Sequence, residues 1–150
     1  MDILVVAPHG NLDPSALGEL TGAARLTAVC WDSQAPTTTT MTVLAVPARN
    51  GVAARLRERF LSSPASRNPI ARSALRLTSF DEGRWFWLAA SHADAVSASA
   101  RTARVIVAAD RDAVYAAWRW AREARRAGHD VAAVYGYPAA RAAIAEAAQA

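Results

Sequence analysis

The sequence predicts an α/β fold with three layers, in which helices cover both faces of a mostly parallel, five-stranded sheet. The segment 104–138 (RVIVAADRDAVYAAWRWAREARRAGHDVAAVYGYP) contains a complete strand, helix and strand. Its first strand is apolar without polar alternation, which is typical of a parallel strand covered on both faces. A chain of 150 residues with 53% apolar content can form one packed core, so we expect a single domain over residues 1–150.

Five segments have the short length and aliphatic or β-branched content of strands. They are Asp2–Ala7, Arg25–Trp31, Thr40–Val46, Arg104–Ala109 and Val131–Tyr135. Only about eight polar residues separate the second segment from the third. A crossover helix needs a dozen or more residues, so we expect a loop to join these two strands.

Helices are predicted from caps and from apolar residues that recur every three or four positions. Ser79 and Glu82 form a capping box for a helix running to Ser99, and the apolar face of that helix includes His92. The other predicted helices begin near Pro14, Asn50 and Asn68, span Asp112 to Ala127, and span the alanine-rich end of the chain from Ala139 to Ala150.

The predicted helix from Asp112 to Ala127 carries two tryptophans that cannot share a face, because helix neighbours are three or four residues apart. Trp118 aligns with Val114 and Ala121 and is therefore expected to face the core. Trp120 then lies on a different face.

Several common activities lack their motifs. The first turn, APHGNLDPSALG, does not contain G-x-G-x-x-G, and a chain without lysine cannot form the phosphate-binding loop of a nucleotide hydrolase. VVAPHGNLD resembles the start of the LmbE-like zinc N-deacetylases, but only His9 matches their His-Pro-Asp-Asp motif. His92 and His129 are isolated from each other. We therefore expect neither a metal nor a cofactor.

The net charge of +4 is unevenly distributed. Seven arginines and one acid, Glu58, lie between Arg49 and Arg76. This segment is either a solvated face or a contact for an anionic membrane surface, for which the candidates are Arg55, Arg57, Arg59, Arg67 and Arg72. Without a recognised module or interleaved aromatic residues, no nucleic acid is expected. No secretory signal or membrane span is visible, so we expect a cytoplasmic protein. If the arginine-rich segment contacts a membrane, we expect the protein to be peripheral at the inner membrane face.

Asp110 follows the fourth strand at its carboxyl end, where open α/β sheets bind ligands. Asp110 or Asp112 is also a suitable cap for the next helix. Two interpretations therefore remain open, capping alone and capping combined with ligand contact.

Three segments together resemble the amino-terminal half of a GT-B glycosyltransferase, of the family-4 kind common in actinobacteria. They are ILVVAPHG, TMTVLAVPARN and ARVIVAADRDAVYAAWRWAR. The resemblance implies a Rossmann-like fold and an acceptor-binding cleft lined by His9, Gly10, Asn11 and Asp110. In that family a second half with an E-x-x-x-x-x-x-x-E element binds the sugar nucleotide, and this chain has no such glutamate pair.

The resemblance therefore implies an acceptor-binding half that is inactive alone and is completed by a second domain or chain. The alternative is a non-catalytic α/β binding module. Such a module would form a homodimer through its alanine-rich last helix and exposed tryptophans.

Overall fold

A computed structural model describes residues 1–20, 22, 24–35, 41–47, 55, 59, 62 and 81–149. The described strands are β1 (Asp2–Val6), β2 (Arg25–Trp31), β3 (Thr42–Val46), β4 (Val105–Ala108) and β5 (Ala132–Tyr135). The described helices are α1 (Pro14–Leu20), α2 (Glu82–Ala90), α3 (Asp94–Thr102), α4 (Ala113–Arg126) and α5 (Gly136–Ala147), and a short 3-10 helix spans Asp32–Gln34. The helices predicted to begin at Asn50 and Asn68 fall mostly outside the described residues.

The five strands form one sheet in the order β3-β2-β1-β4-β5, and every neighbouring pair is parallel. The predicted strands are confirmed to within two residues at each end. Because β2 and β3 are adjacent and parallel, the chain moves outward from β1 to β3. It then returns to the opposite side of β1 as β4.

Alternate residues of the central strands supply two cores. Leu4, Val6 and Ile106 pack with residues of α2, α3 and α4 on one face. Ile3 and Val107 pack with residues of α5 on the other. The predicted three-layer, Rossmann-like α/β architecture is therefore confirmed. Its physical cause is that β1 and β4 are buried on both faces, with alternate side chains entering the two cores.

The last helix is anchored more firmly than its composition suggests. We expected an alanine-rich helix with one bulky residue, Ile144, to pack poorly. In the structure α5 begins at Gly136, buries Ala140 completely and packs Ile144 against the sheet. Small side chains allow this close approach of helix to sheet.

The single helix predicted from Ser79 to Ser99 is wrong. Asp81 is the cap of α2, since its carboxylate accepts from the Arg84 amide at 3.4 Å. The helix then stops, and Ala93 adopts an extended conformation before α3. His92 lies in this break and is exposed, with Nδ1 2.7 Å from the carbonyl oxygen of Leu88. The apolar spacing spans both helices and so concealed the break between them.

The predicted orientation of the two α4 tryptophans is also wrong. Trp120 is 3% exposed within the core, whereas Trp118 is 48% exposed. The helix faces the core with small residues, Ala113, Ala116, Ala117, Ala121 and Ala124, and Trp120 lies on this face. The large side chains of this helix indicated the wrong face, because most residues of its buried face are alanines.

Candidate functional site

The candidate site is the crevice beyond the carboxyl ends of β1 and β4, where the strand order reverses direction. This switch point is the usual ligand site of an open α/β sheet. His9 follows β1, and Asp112 follows β4. Their side chains meet, with Nε2 of His9 3.0 Å from Oδ2 of Asp112, and both remain partly exposed. The fold thus joins an imidazole and a carboxylate that lie 103 positions apart in sequence.

The side chain of Asp110 caps α4, as both interpretations require. Its Oδ1 accepts from the Ala113 amide at 2.9 Å. Its Oδ2 is buried and has no hydrogen-bond partner among the described residues. A buried carboxylate oxygen normally has a partner, so this unpaired atom is the one feature of Asp110 that its capping role does not explain.

Replacing Asp110 with alanine is expected to lower the free energy of unfolding by about 1 kcal/mol, since α4 loses its cap. Asp110→Asn retains an acceptor oxygen and is expected to lose less. Urea unfolding followed by circular dichroism measures both changes. Equal losses in the two variants would show that the negative charge of Asp110, and not its cap hydrogen bond, stabilises α4.

Gly10 closes the turn after β1, with its amide donating to the Ala7 carbonyl oxygen at 2.9 Å, and Asn11 follows it. Gly10 has a φ of +68°, and a Cβ at this position would lie 2.4 Å from the carbonyl oxygen of Gln34. The Asn11 carbonyl accepts a hydrogen bond at 3.3 Å from the hydroxyl of Tyr137, which lies at the start of α5. Burial raises the pKa of Tyr137. The turn is therefore held on both sides by neighbouring connections.

Asp13 caps α1 beside the same crevice. Its Oδ1 accepts from the amides of Ser15 and Ala16, at 2.9 and 3.3 Å, and from the Ser15 hydroxyl at 2.6 Å. The bond from the Ser15 hydroxyl, followed by the two amide bonds, lowers the pKa of Asp13 below its usual value. The first amides of α1 are thus occupied by the protein's own carboxylate.

The lowered pKa of Asp13 predicts a loss of stability in acid. The unfolded chain binds the proton more tightly, so this contribution is present above the ordinary carboxyl pKa of about 3.9 and is lost as the pH falls through the lowered value. Urea unfolding at about pH 5 and about pH 3 should show a larger decrease in unfolding free energy for the parent than for Asp13→Asn. Parallel curves for the two proteins would contradict the assignment.

A cavity of about 380 Å³ adjoins the crevice between the first residues of α2 and α4. Asp112 belongs to both, and the other lining residues are Asp81, Gly83, Arg111, Val114, Tyr115 and Trp118. Gly83 allows the close approach of the two helices, because a Cβ there would lie 2.5 Å from the carbonyl oxygen of Asp112.

Of the predicted site residues, the structure gathers His9, Gly10, Asn11 and Asp110 at one edge. Arg55 and Arg59 are exposed helical residues, and Arg57, Arg67 and Arg72 lie outside the described residues, so the membrane contact stays a prediction. Within the described part of the chain, no group of three metal-ligating side chains converges. In the same part, no helix is long and apolar enough to cross a membrane.

Sequence reasoning missed Tyr137 and the exposed aromatic wall of the cavity. Tyr137 lies two residues after the end of β5, so its place after a parallel strand was an available signal. Trp118 and Gly83 had no such signal, because only the packing of α2 against α4 defines their surroundings.

The fold and site define a Rossmann-like α/β protein with a crevice at the switch point of its sheet. The chain matches no protein-family model, no curated protein and no solved structure.

Proposed function

We propose that this chain is the acceptor-binding half of a glycosyltransferase-like protein, with the acceptor held in the crevice by His9, Gly10, Asn11 and Asp110. One observation carries the proposal. The switch point brings the His9 imidazole, hydrogen-bonded to Asp112, to the same edge as the unpartnered oxygen of Asp110.

These groups suit a ligand rich in hydroxyl groups. Oδ2 of Asp110 is buried and has no partner among the described residues, and we infer that it accepts a hydrogen bond from a ligand hydroxyl that enters the crevice far enough to reach it. The His9 ring, with Nε2 on Asp112, can offer its other nitrogen to a second hydroxyl. A partly exposed imidazole paired with a carboxylate can also accept a proton from a reacting hydroxyl.

The helix starts favour an acceptor over a phosphorylated donor. Phosphate groups bind at helix N-termini through free backbone amides. Here Asp13 occupies the amides of α1 and Asp110 occupies an amide of α4. Binding of a sugar nucleotide would therefore fall to a second half, supplied by another domain or chain.

The proposal is tested by isothermal titration and by thermal shift with methyl glycosides and with a uridine diphosphate sugar. A ligand that binds only the folded chain raises its melting temperature. We expect glycosides to raise it and the nucleotide to have little effect on this chain. His9→Ala should abolish the shift. His92→Ala, which removes an exposed histidine outside the crevice, serves as the matched control.

A second candidate is a homodimeric binding module, favoured by an exposed apolar surface on α4 and β5. Val114, Trp118 and Tyr135 are 44, 48 and 62% exposed. They surround a groove of about 280 Å³ beside the edge strand β5. The last helix packs its inner face on its own sheet, so the contact between two copies would form on this surface.

Sedimentation velocity separates the two candidates. A monomer that binds glycosides supports the acceptor-binding half. A tight dimer that is disrupted by Tyr135→Arg and is inert to glycosides supports the homodimeric module and contradicts the first proposal.

A further inference from the structure

The cavity between α2 and α4 is separate from the residues that the resemblance assigned to the crevice. It shares only Asp112 with the His9 pair and extends from there along α4 to Trp118. Its volume of about 380 Å³ is within the range of about 300–1,000 Å³ of small-molecule sites. The question is which chemistry its lining recognises.

The apolar wall is aromatic and held in place. Tyr115 lies between Trp87 and Trp118, with its ring centroid 6.0 Å from each. Arg84 lies 5.3 Å from the Tyr115 centroid, and Arg122 lies 5.3 Å from that of Trp118. Such contacts stabilise ring positions. The wall is therefore preorganised, which lowers the entropy cost of binding.

Trp118 is the unusual member of this wall. A tryptophan that is 48% exposed leaves much of its apolar surface in water, although Trp120 two residues later is buried. The face of an indole ring is electronegative and attracts weakly positive C–H groups. It is thus suited to the C–H face of a ring-shaped ligand.

Among the described residues, the charged side chains that line the cavity are two acceptors and one donor, and Tyr115 adds a hydroxyl that can donate or accept. Asp81 and Asp112 supply carboxylate oxygens, and Arg111 supplies guanidinium N–H groups. A phosphorylated ligand would face two carboxylates, and a strongly cationic one would face Arg111. A neutral ring with hydroxyl groups at its edge is accepted by all three.

We propose that this cavity binds the pyranose ring of a neutral glycoside, with the ring stacked on Trp118 and its hydroxyls bonded to Asp81, Asp112 and Arg111. The inference rests on the proposed acceptor-binding function and assigns the substrate class. Since Asp112 adjoins both places, the cavity would hold one ring of the acceptor while the crevice holds the reacting end.

The test is a titration of the full, ¹⁵N-labelled chain monitored by nuclear magnetic resonance. The indole N–H signal of Trp118 is assigned by its absence in Trp118→Phe. The probes are methyl α-D-glucopyranoside, methyl α-D-mannopyranoside and methyl β-D-galactopyranoside. Sorbitol, which has the hydroxyls without the ring, and inorganic phosphate are the comparison ligands.

At least one glycoside should shift the Trp118 signal saturably, and neither sorbitol nor phosphate should do so. Trp118→Ala should weaken that affinity by about tenfold or more. Tyr135→Ala, which removes an exposed aromatic outside this cavity, should leave it unchanged. Because Trp118 is exposed, its removal leaves the core intact, and thermal unfolding verifies this.

The two proposals fail differently. One outcome is that a glycoside binds the parent, that His9→Ala abolishes this binding, and that Trp118→Ala binds the glycoside as tightly as the parent does. This outcome overturns the cavity assignment and leaves the acceptor-binding function standing. A Trp118 shift with phosphate or sorbitol alone also overturns the cavity assignment. If no glycoside perturbs either place, both proposals are wrong.

Discussion

Trp120→Ala is expected to lower the free energy of unfolding by about 3–5 kcal/mol, the usual cost of removing a large aromatic side chain from a core. Trp120 is 3% exposed and packs within the cluster formed by the sheet, α2, α3 and α4. When the indole is removed, apolar area is no longer buried, and the neighbouring side chains do not fill the cavity that remains. Urea unfolding followed by far-ultraviolet circular dichroism measures the change.

Trp118→Ala is the matched control, since it makes the same substitution two residues earlier on α4. The side chain is 48% exposed, and its loss should cost about 1 kcal/mol or less, mainly from its contacts with Tyr115 and Arg122. The two variants gain the same helix propensity, so the difference between their unfolding free energies reports the surroundings of the two side chains, of which burial is the largest part. If Trp118→Ala lost more unfolding free energy than Trp120→Ala, the result would support the orientation predicted from the sequence and contradict the structure.

Gly10→Ala is expected to lower the free energy of unfolding by about 2–5 kcal/mol, from two additive causes. A left-handed backbone costs a residue with a Cβ about 1–2 kcal/mol, and φ at Gly10 is +68°. The new Cβ would also lie 2.4 Å from the Gln34 carbonyl oxygen, which is a backbone atom. Relieving such an overlap costs about a further 1–3 kcal/mol. The turn that carries His9 would move, so ligand binding should weaken as well.

Gly128→Ala separates the two causes. Gly128 follows the end of α4 with a φ of +84°, but no atom of the described residues lies within 4 Å of its ideal Cβ. Only the conformational cost applies there, so the loss should be about 1–2 kcal/mol. Thermal and urea unfolding of both variants provide the measurement. Equal losses would mean that the contact between Gly10 and the turn after β2 does not constrain the crevice.

The strands were predictable because each is a short aliphatic run between polar turns. Arg25–Trp31 was predicted to the residue. The parallel arrangement was predicted from the absence of polar alternation in the segment Arg104–Ala109. The short connection between the second and third strands was predicted to be a loop, and its described part contains the 3-10 helix Asp32–Gln34, while residues 36–40 lie outside the described residues. These are local signals, fixed by covalent geometry and by which side chains avoid water.

The helices were predicted less well where their buried faces are made of alanine. On α4 the alanines face the core and leave one large aromatic, Trp118, outside, so side-chain size misassigned the face. In segment 82–102 a continuous apolar spacing concealed the break at His92. A pattern of spacing does not record whether the backbone between two turns remains helical.

The sequence predicted where in the fold the candidate site lies, but not the contacts within it. The sequence placed His9 and Asp110 at strand ends, because parallel strands share a carboxyl edge. It assigned Asp112 only as an alternative helix cap and left Tyr137 without a role. The His9–Asp112 pair joins residues 103 positions apart, and the Tyr137–Asn11 bond joins residues 126 apart. Such pairs depend on which strands become neighbours.

The sequence by itself determined the three-layer α/β class, the five strands and the edge at which the polar residues gather, since these follow from hydrophobic period and chain connectivity. Only the tertiary structure decided that β4 pairs with β1, that α2 approaches α4 closely at Gly83, and that Trp118 belongs to the lining of the cavity between these helices. Packing decides these features because each depends on atoms brought together from distant parts of the chain, and local preferences do not encode their distances.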